Sequence, residues 1–266
     1  MKKERLDVAM VERGLAPSRS AAQVFILAGD VRVNDGVITK ASHVVTADDL
    51  IEVGSERKYV SRGGYKLEKA MEVFPVDLKG KTCLDIGAST GGFTHCMLLN
   101  GAEKCYSIDV GYGQLDYSLR SDDRVVCMER YNARNLNVAD IGGSAADFAS
   151  IDVSFISLKL ILPPLYPCLK EDGEVVALIK PQFEAGKEQV GKNGVVRSSA
   201  VHKEVCCAIM EFASSIGFGV YGLDFSPIKG PKGNIEFLLY LRKNSGEDAI
   251  TDYAGLADKI LSSLSF

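Results

Sequence analysis

No apolar stretch in this chain of 266 residues runs much beyond the length of a strand, whereas a membrane span requires roughly 20 consecutive apolar residues. A membrane partner is therefore not expected. The opening Met1-Lys2-Lys3-Glu4-Arg5-Leu6-Asp7 is charged and leads into no apolar signal core, so the expected location is the cytoplasm rather than an exported compartment. Paired Cys-x-x-Cys spacing is also missing. The seven cysteines are odd in number, at positions 83, 96, 105, 127, 168, 206 and 207, which fits reduced thiols better than a disulfide framework, and no metal is expected. Neither an internal repeat nor a low-complexity segment interrupts the chain. A global excess of positive charge is absent too: the net charge is −4, and residues 1–62 carry ten Lys/Arg against nine Asp/Glu. Averaged charge thus argues against a nucleic-acid partner, and any such surface must arise from how the charges are arranged. What is present, 46% hydrophobic and 25% charged residues, suffices for one large domain and a small one.

The small one comes first. Apolar periodicity predicts helices from Arg5 to Arg13 and from Ser18 to Ala28, with Ser18 as N-cap and Gly29 just beyond the second helix, followed by short strands at Val31–Val33, Val37–Ile38 and Leu50–Val53. Asn34-Asp35-Gly36 is a tight-turn signal. The polar segment after Gly54 changes the pattern, so the expected organisation is a domain over 1–54, a linker over 55–62 and a second domain over 63–266.

In this first segment Arg5-Leu6-Asp7, Gly14-Leu15, Ser18-Arg19, Ala21-Ala22, Ile26, the run Gly29 to Gly36, Lys40 and Asp49-Leu50-Ile51 follow one another in the order of the S4 RNA-binding domain, which the segment resembles. The resemblance implies a small α+β domain that brings Arg5, Arg19, Arg32 and Lys40 against RNA phosphates. The competing reading is that these four are ordinary solvated surface charges.

From Thr82 onward, strand-like runs alternate with helix-length segments, as in a doubly wound α/β sheet. Seven strands are expected: Thr82–Ile86, Lys104–Asp109, Val125–Glu129, Ser150–Val153, Glu174–Lys180, Val220–Phe225 and Ile235–Leu241. The clearest helix is Ser199–Ser215, stopped by Gly217. Ser226 to Asn234 is too short for a helical crossover, so the last two strands must pair antiparallel. The expected fold is a Rossmann-like, mostly parallel seven-stranded sheet with an antiparallel edge strand.

Leu84-Asp85-Ile86-Gly87-Ala88-Ser89-Thr90-Gly91-Gly92-Phe93 reads as a strand, a glycine-rich turn and a helix start, where doubly wound folds bind cofactors. Ser89 replaces the second glycine of a dinucleotide fingerprint, and the carboxylate of Asp85 repels a pyrophosphate but suits the cationic amino-acid end of S-adenosylmethionine, reached through water or backbone. A nicotinamide cofactor and a purely structural turn are the alternatives to S-adenosylmethionine. Gly87, Ser89 and Gly91 are the candidate close-approach positions. Asp109, at the end of the second strand, is placed for the ribose hydroxyls of either cofactor. Asn132 is read as an adenine contact or a cap, and Phe93 as a pocket wall or a core residue.

Four further polar residues stand at ends of strand-like or glycine-rich segments: Lys66 in Ser61-Arg62-Gly63-Gly64-Tyr65-Lys66-Leu67, Asp152 after Phe148-Ala149-Ser150-Ile151, Lys180 after Val175 to Ile179, and Glu236 before Phe237-Leu238-Leu239. A charge there is costly unless paired or working. With the glycine turn, Ile179-Lys180-Pro181 and Gly233-Asn234-Ile235-Glu236-Phe237, the pattern resembles the FtsJ-type RNA ribose methyltransferases with their Lys-Asp-Lys-Glu tetrad. With the S4-like segment in front, the chain from residue 5 to about 243 is similar to the TlyA-type rRNA 2′-O-methyltransferases. Ser89-Thr90-Gly91-Gly92-Phe93 stands where many FtsJ-type turns read Ala-Pro-Gly-Gly-Trp.

The resemblance implies a cytidine ribose of ribosomal RNA as substrate, and ribosomal RNA or ribosomal subunits as partners. A ribose 2′-hydroxyl is a weak nucleophile that must be aligned and relieved of its proton. Lys180 is the expected base, a role open to a lysine only when neutral, which the like-charged neighbour Lys66 favours. Asp152 would orient Lys180, and Glu236 would hold Lys66 or the ribose. Four structural salt-bridge residues are the alternative. Two rival functions remain: TlyA-type chains have also been labelled haemolysins, but no amphipathic or spanning segment supports a membrane-active protein. A non-catalytic S4-domain RNA-binding protein is weakened by the presence of all four tetrad residues.

Overall fold

In the computed structural model the chain divides into two compact units, residues 1–61 and 62–266. The structure describes residues 3–34, 36–54, 58–244, 246 and 249–264; Asp35 of the expected turn and Ser55, Glu56 and Arg57 of the expected linker lie outside them.

The smaller unit packs α1 (Leu6–Glu12) and α2 (Arg19–Leu27) on a sheet of β2 (Val31–Val33), β3 (Gly36–Ile38) and β5 (Ile51–Val53), ordered β3-β2-β5 and antiparallel throughout. Ser18 caps α2 by accepting from Ala21 N, and Gly29 follows the helix at φ +76°. Leu6, Met10, Ala22, Ile26 and Val31 are completely buried between the layers. A second pair, β1 (Glu4–Arg5) with β4 (Val44–Val45), has only two residues on each side, too few to leave a period-two pattern in the sequence.

The larger unit is built on seven strands: β6 (Thr82–Ile86), β7 (Lys104–Ile108), β8 (Val125–Met128), β9 (Ala146–Ile151), β10 (Leu169–Ile179), β11 (Phe218–Phe225) and β12 (Phe237–Lys243). Their order is β11-β12-β10-β9-β6-β7-β8. All neighbouring pairs from β10 to β8 are parallel, while β12 runs antiparallel to both β10 and β11 and forms the expected antiparallel pair at that edge. Around the sheet lie α3 (Gly64–Val73), α4 (Gly92–Leu99), α5 (Tyr117–Arg120), α6 (Leu162–Leu165), α7 (Pro181–Glu184), α8 (Ser199–Ser215) and α9 (Tyr253–Ser263). The helix expected at 199–215 has these bounds: Ser198 accepts from Val201 N at its start and Gly217 follows it at φ +103°.

Strands β6 and β9 and the Val175–Ile179 part of β10 are buried on both faces, which is why these stretches run largely apolar without alternation. Each Leu or Ile sealed there, such as Leu84, Ile151 or Ile179, contributes roughly 1.5–3 kcal/mol. Strand bounds differ from expectation mainly at three places: β10 begins at Leu169 rather than Glu174, β12 spans Phe237–Lys243 rather than Ile235–Leu241, and β9 begins early. β9 starts at Ala146 rather than Ser150, because Asp147 hides the start of the run: its carboxylate accepts from Thr82 N at 3.0 Å and pairs with Lys170 at 2.6 Å, so a charged residue sits comfortably in the strand. The same strand ends at Ile151, leaving Asp152 as the first residue past it.

Candidate active site

Sheet register brings distant residues to one place. Ile86 pairs with Ile151 and Ala177 with Ile151 in parallel, so the carboxyl ends of β6, β9 and β10 are level. Because β12 is reversed and Phe237 pairs with Ile179, the residue that precedes β12, Glu236, comes to the same end as Lys180, which follows β10. Lys66 reaches this end from the first turn of α3. Its Nζ donates to Glu236 Oε2 at 2.7 Å and to Asp152 Oδ2 at 3.1 Å. Lys180 Nζ lies 2.5 Å from Asp152 Oδ1 and donates to Ser154 Oγ at 3.0 Å. The four form one chain of alternating sign, Glu236–Lys66–Asp152–Lys180, with every side chain less than a fifth exposed. Burial works against the Lys66 ammonium, yet Asp152 and Glu236 together raise it above the ordinary lysine value. Burial likewise opposes ionisation of Asp152, and the two flanking ammoniums outweigh it and hold the carboxyl below its usual range.

The glycine turn is joined to this group through backbone. Asp152 N donates to Ile86 O at 2.9 Å, and Gly87, at φ +86°, packs so closely that a Cβ would sit 2.5 Å from Asp152 O. Only glycine meets both demands. The turn opens on a cleft of about 790 Å³ whose wall includes Gly87, Ser89, Asp109, Asn132 and Asp152, within the range of small-molecule sites, about 300–1,000 Å³. Asp109 accepts from Ser89 N at 2.8 Å and Gly111 N at 2.7 Å, so it shapes the turn while its carboxylate stays in the wall. Ser89 itself is held at φ +49°.

Three expected cofactor residues are placed elsewhere. Asp85 is completely buried: Oδ2 accepts from Thr94 N at 2.8 Å and Thr94 Oγ1 at 2.7 Å, and Oδ1 accepts from Ser150 Oγ at 3.2 Å. A carboxylate committed to the start of α4 is not available to a ligand's ammonium, so Asp85 supports the turn from behind. Gly91 is glycine because it takes φ +93° at the N-terminus of α4, where a Cβ would meet Leu119 and Leu115 side chains at 2.3 and 2.8 Å. It does not line the cleft. Phe93 is 4% exposed and belongs to the core rather than the cleft wall. Asn132 lines the cleft, and its side-chain carbonyl caps the turn at 133–135 by accepting from Arg134 N at 3.1 Å.

The loop after β9 supplies what sequence reasoning missed. Ser154 contacts Lys180. Phe155, at φ +63° and 90% exposed, stands 4.9 Å from Phe183 at the cleft. Glu184 ties this loop to α7 by accepting from Ser157 Oγ at 2.6 Å and Leu158 N at 2.8 Å. Polar residues past a strand end carry no periodicity, so only the unusual exposed aromatic offered a signal.

In the smaller unit, Arg5 and Arg19 meet at one carboxylate. Arg5 donates to Asp7 Oδ1 at 2.8 Å and Oδ2 at 3.0 Å, Arg19 to Oδ2 at 3.1 Å, and Gln23 to the same oxygen at 2.8 Å. Asp7 is completely buried, yet this bonding, that of Arg5 first, keeps its carboxyl well below the usual range. Both arginines remain about half exposed. Arg32 on β2 and Lys40 beyond β3 are exposed and stand apart from this cluster. Among the described residues, no group of three or more His, Cys, Asp or Glu side chains is arranged to hold a metal ion, and no helix is long and apolar enough to cross a membrane.

Comparison with known proteins agrees with this architecture. The model of the FtsJ-like methyltransferase family matches residues 59–243, and that of the S4 domain matches residues 4–51. YqxC of Bacillus subtilis, provisionally described as an rRNA methyltransferase, is 52% identical over 241 residues, 90% of this chain and 86% of that protein. The 16S/23S rRNA (cytidine-2′-O)-methyltransferase TlyA of Mycobacterium tuberculosis is 43% identical over 261 residues, covering 97% of this chain and 96% of its own. The solved structure of a Streptococcus thermophilus protein, provisionally described as a hemolysin, is 46% identical, with 98% of this chain and 95% of that one covered at a TM-score of 0.77.

Proposed function

The chain belongs to the FtsJ-like methyltransferase family, and on that premise we propose that it transfers a methyl group from S-adenosylmethionine to a ribose 2′-hydroxyl of cytidine in ribosomal RNA. The observation that carries the proposal is the continuous Glu236–Lys66–Asp152–Lys180 chain at the edge of the cleft. Ribosomal RNA, free or within a subunit, makes the cytoplasm the place of action.

The cleft fits the cofactor's chemistry. Gly87 and Ser89 offer backbone at close approach, Asp109 offers a carboxylate to ribose hydroxyls, and Asn132 offers a neutral polar side chain beside them. When bound, S-adenosylmethionine supplies an electrophilic methyl group. The chain's own residues then do the rest. Lys180, once its ammonium beside Asp152 has given up a proton to solvent, would take the 2′-hydroxyl proton at Nζ as the hydroxyl oxygen takes the methyl group from the sulfonium sulfur. Asp152 orients Lys180 from one oxygen and Lys66 from the other, and Glu236 fixes Lys66 against the incoming ribose. Residues 1–54 act as the RNA-binding domain through Arg5, Arg19, Arg32 and Lys40, residues 55–62 as the linker, and residues 63–266 as the methyltransferase domain.

Lys180→Ala tests the assignment. Methyl transfer to ribosomal subunits should fall by about 10²–10⁴-fold, the usual worth of a general base. Cofactor affinity by calorimetry should stay within a few fold. A variant that keeps more than about a tenth of the wild-type rate is incompatible with Lys180 as the base.

A further inference from the structure

We propose that two loops beside the tetrad, residues 186–198 and 229–234, form a second phosphate-gripping surface that holds RNA next to the ribose being methylated. This rests on the reading of the chain as an RNA methyltransferase and adds to the S4-like contacts a separate anchor on the larger unit.

Both loops start from the tetrad. The first follows Lys180 and α7, and the second runs directly into Glu236, where Gly230 packs so tightly that a Cβ would meet Glu236 Oε1 at 2.8 Å. One buried side chain staples them together. Asn234, 3% exposed, accepts from Val196 N at 3.0 Å and donates to Gly194 O at 2.9 Å, while its backbone carbonyl accepts from Gly230 N at 2.9 Å. Val196 O also lies 3.2 Å from His202 Nε2. The tip of the first loop turns at Asn193 (φ +69°) and Gly194 (φ +74°), and Lys232 of the second loop lies over that tip, its Nζ 3.5 Å from where a Cβ of Gly194 would begin.

The stapled pair carries Lys187, Lys192, Arg197, Lys229 and Lys232, all exposed, against Glu188 as the one exposed carboxylate. Among the described residues none of the five cations is in an ion pair. Lys69, Lys79, Lys104, Arg130, Arg134, Lys159 and Lys259 of the same unit are likewise in none, but they are scattered along the chain, whereas these five fall within two stapled loops. Five unpaired cations on a chain of net charge −4 repel one another, and a polyanion is the partner that relieves this repulsion by exchanging condensed counterions for lysine and arginine. The N-terminus of the 17-residue helix α8, exposed at Ser199 and Ala200 at the end of the first loop, adds partial positive charge of the same sign. Lysines dominate the surface, so it grips backbone phosphates and does not read bases.

The test uses the full chain carrying Lys192→Ala, Arg197→Ala and Lys232→Ala together, none of which belongs to the tetrad or the cleft. Binding to naked ribosomal RNA and to ribosomal subunits is titrated over a salt series, with methyl-transfer kinetics, and S-adenosylmethionine calorimetry reports that the cleft is intact. Each lost phosphate contact should lower the slope of log affinity against log salt by about 0.7–0.9, so a fall of about two units is expected, with RNA affinity weaker by about tenfold or more. KM should rise while kcat stays within a few fold. Wild-type RNA affinity and slope in the triple variant overturn the proposal. So does weakened binding to subunits with naked RNA binding intact, because the loops would then contact a protein. If the wild-type chain transfers no methyl group to RNA but the variant loses RNA affinity as expected, the phosphate surface stands and the catalytic reading falls.

Discussion

Asp152, less than a fifth exposed, and the completely buried Asp85 are answered in opposite ways. Asp152 is flanked by two ammoniums and stays ionised, whereas Asp85 is met only by the neutral donors Thr94 and Ser150, and burial pushes its carboxyl up to about 6 against their bonds. The sign of the consequence follows. An unfolded chain gives up this proton near the ordinary 3.8 while the folded one holds it to about 6, so stability declines as pH rises through that window and stays level above it. At 1.36 kcal/mol per unit the decline is on the order of 3 kcal/mol. Asp85→Asn should remove it, so urea-unfolding free energies of wild type minus variant should slope downward from about pH 4 to 6; a flat difference would show that Asp85 is not held protonated. The histidines shift in both proteins alike and cancel. Asp109 is the carboxylate we propose for the cofactor ribose. Asp109→Ala should weaken S-adenosylmethionine binding by roughly 1.5–3 kcal/mol, the worth of a hydrogen bond to a charged group, and calorimetry showing unchanged affinity would leave it only as the staple of Ser89 and Gly111.

At the scale of elements, the strand ends are linked by backbone that admits no side chain. Gly87 joins the end of β6 to the first residue after β9, so the glycine turn and Asp152 move as one piece. Gly87→Ala should therefore cost more than the roughly 1–2 kcal/mol of a left-handed alanine, since its methyl also strikes a backbone carbonyl that cannot rotate away. Thermal unfolding should show the loss of stability, and methyl transfer should fall by more than cofactor affinity because Asp152 is displaced from the two lysines. Equal stability of variant and wild type would mean that the turn relaxes freely. β12 has a comparable part: its reversal lets a residue that precedes a strand stand beside residues that follow strands.

At the scale of the whole molecule, the two compact units suggest a division of labour. The chain from Arg62 onward should fold and keep its cofactor affinity while losing most RNA affinity, and Arg19→Ala in the full chain should lower the salt slope by about one unit or less. Filter binding across salt concentrations checks both. Undiminished methylation of subunits by the shortened chain would show that the S4-like segment is not an RNA anchor.

Much of this was legible along the chain, because periodicity and glycine turns are local. Helix α8 with its cap and stop, the seven strands, the antiparallel return forced by the short Ser226–Asn234 link and the order of the tetrad motifs all lie in short windows of sequence. Buried partners do not. Whether the Asp85 carboxylate faces a ligand or the start of α4 depends on Thr94 and Ser150, one of them 65 residues away, and whether Phe93 lines a pocket depends on what packs over it. The meeting of Lys66 with Glu236, 170 residues apart, needed the reversed strand and its register. Sequence determined which residue types were available for chemistry, since composition and local pattern require no folding. Tertiary structure alone decided which of them share a low-dielectric site, because desolvation and pairing exist only once the sheet has closed over them.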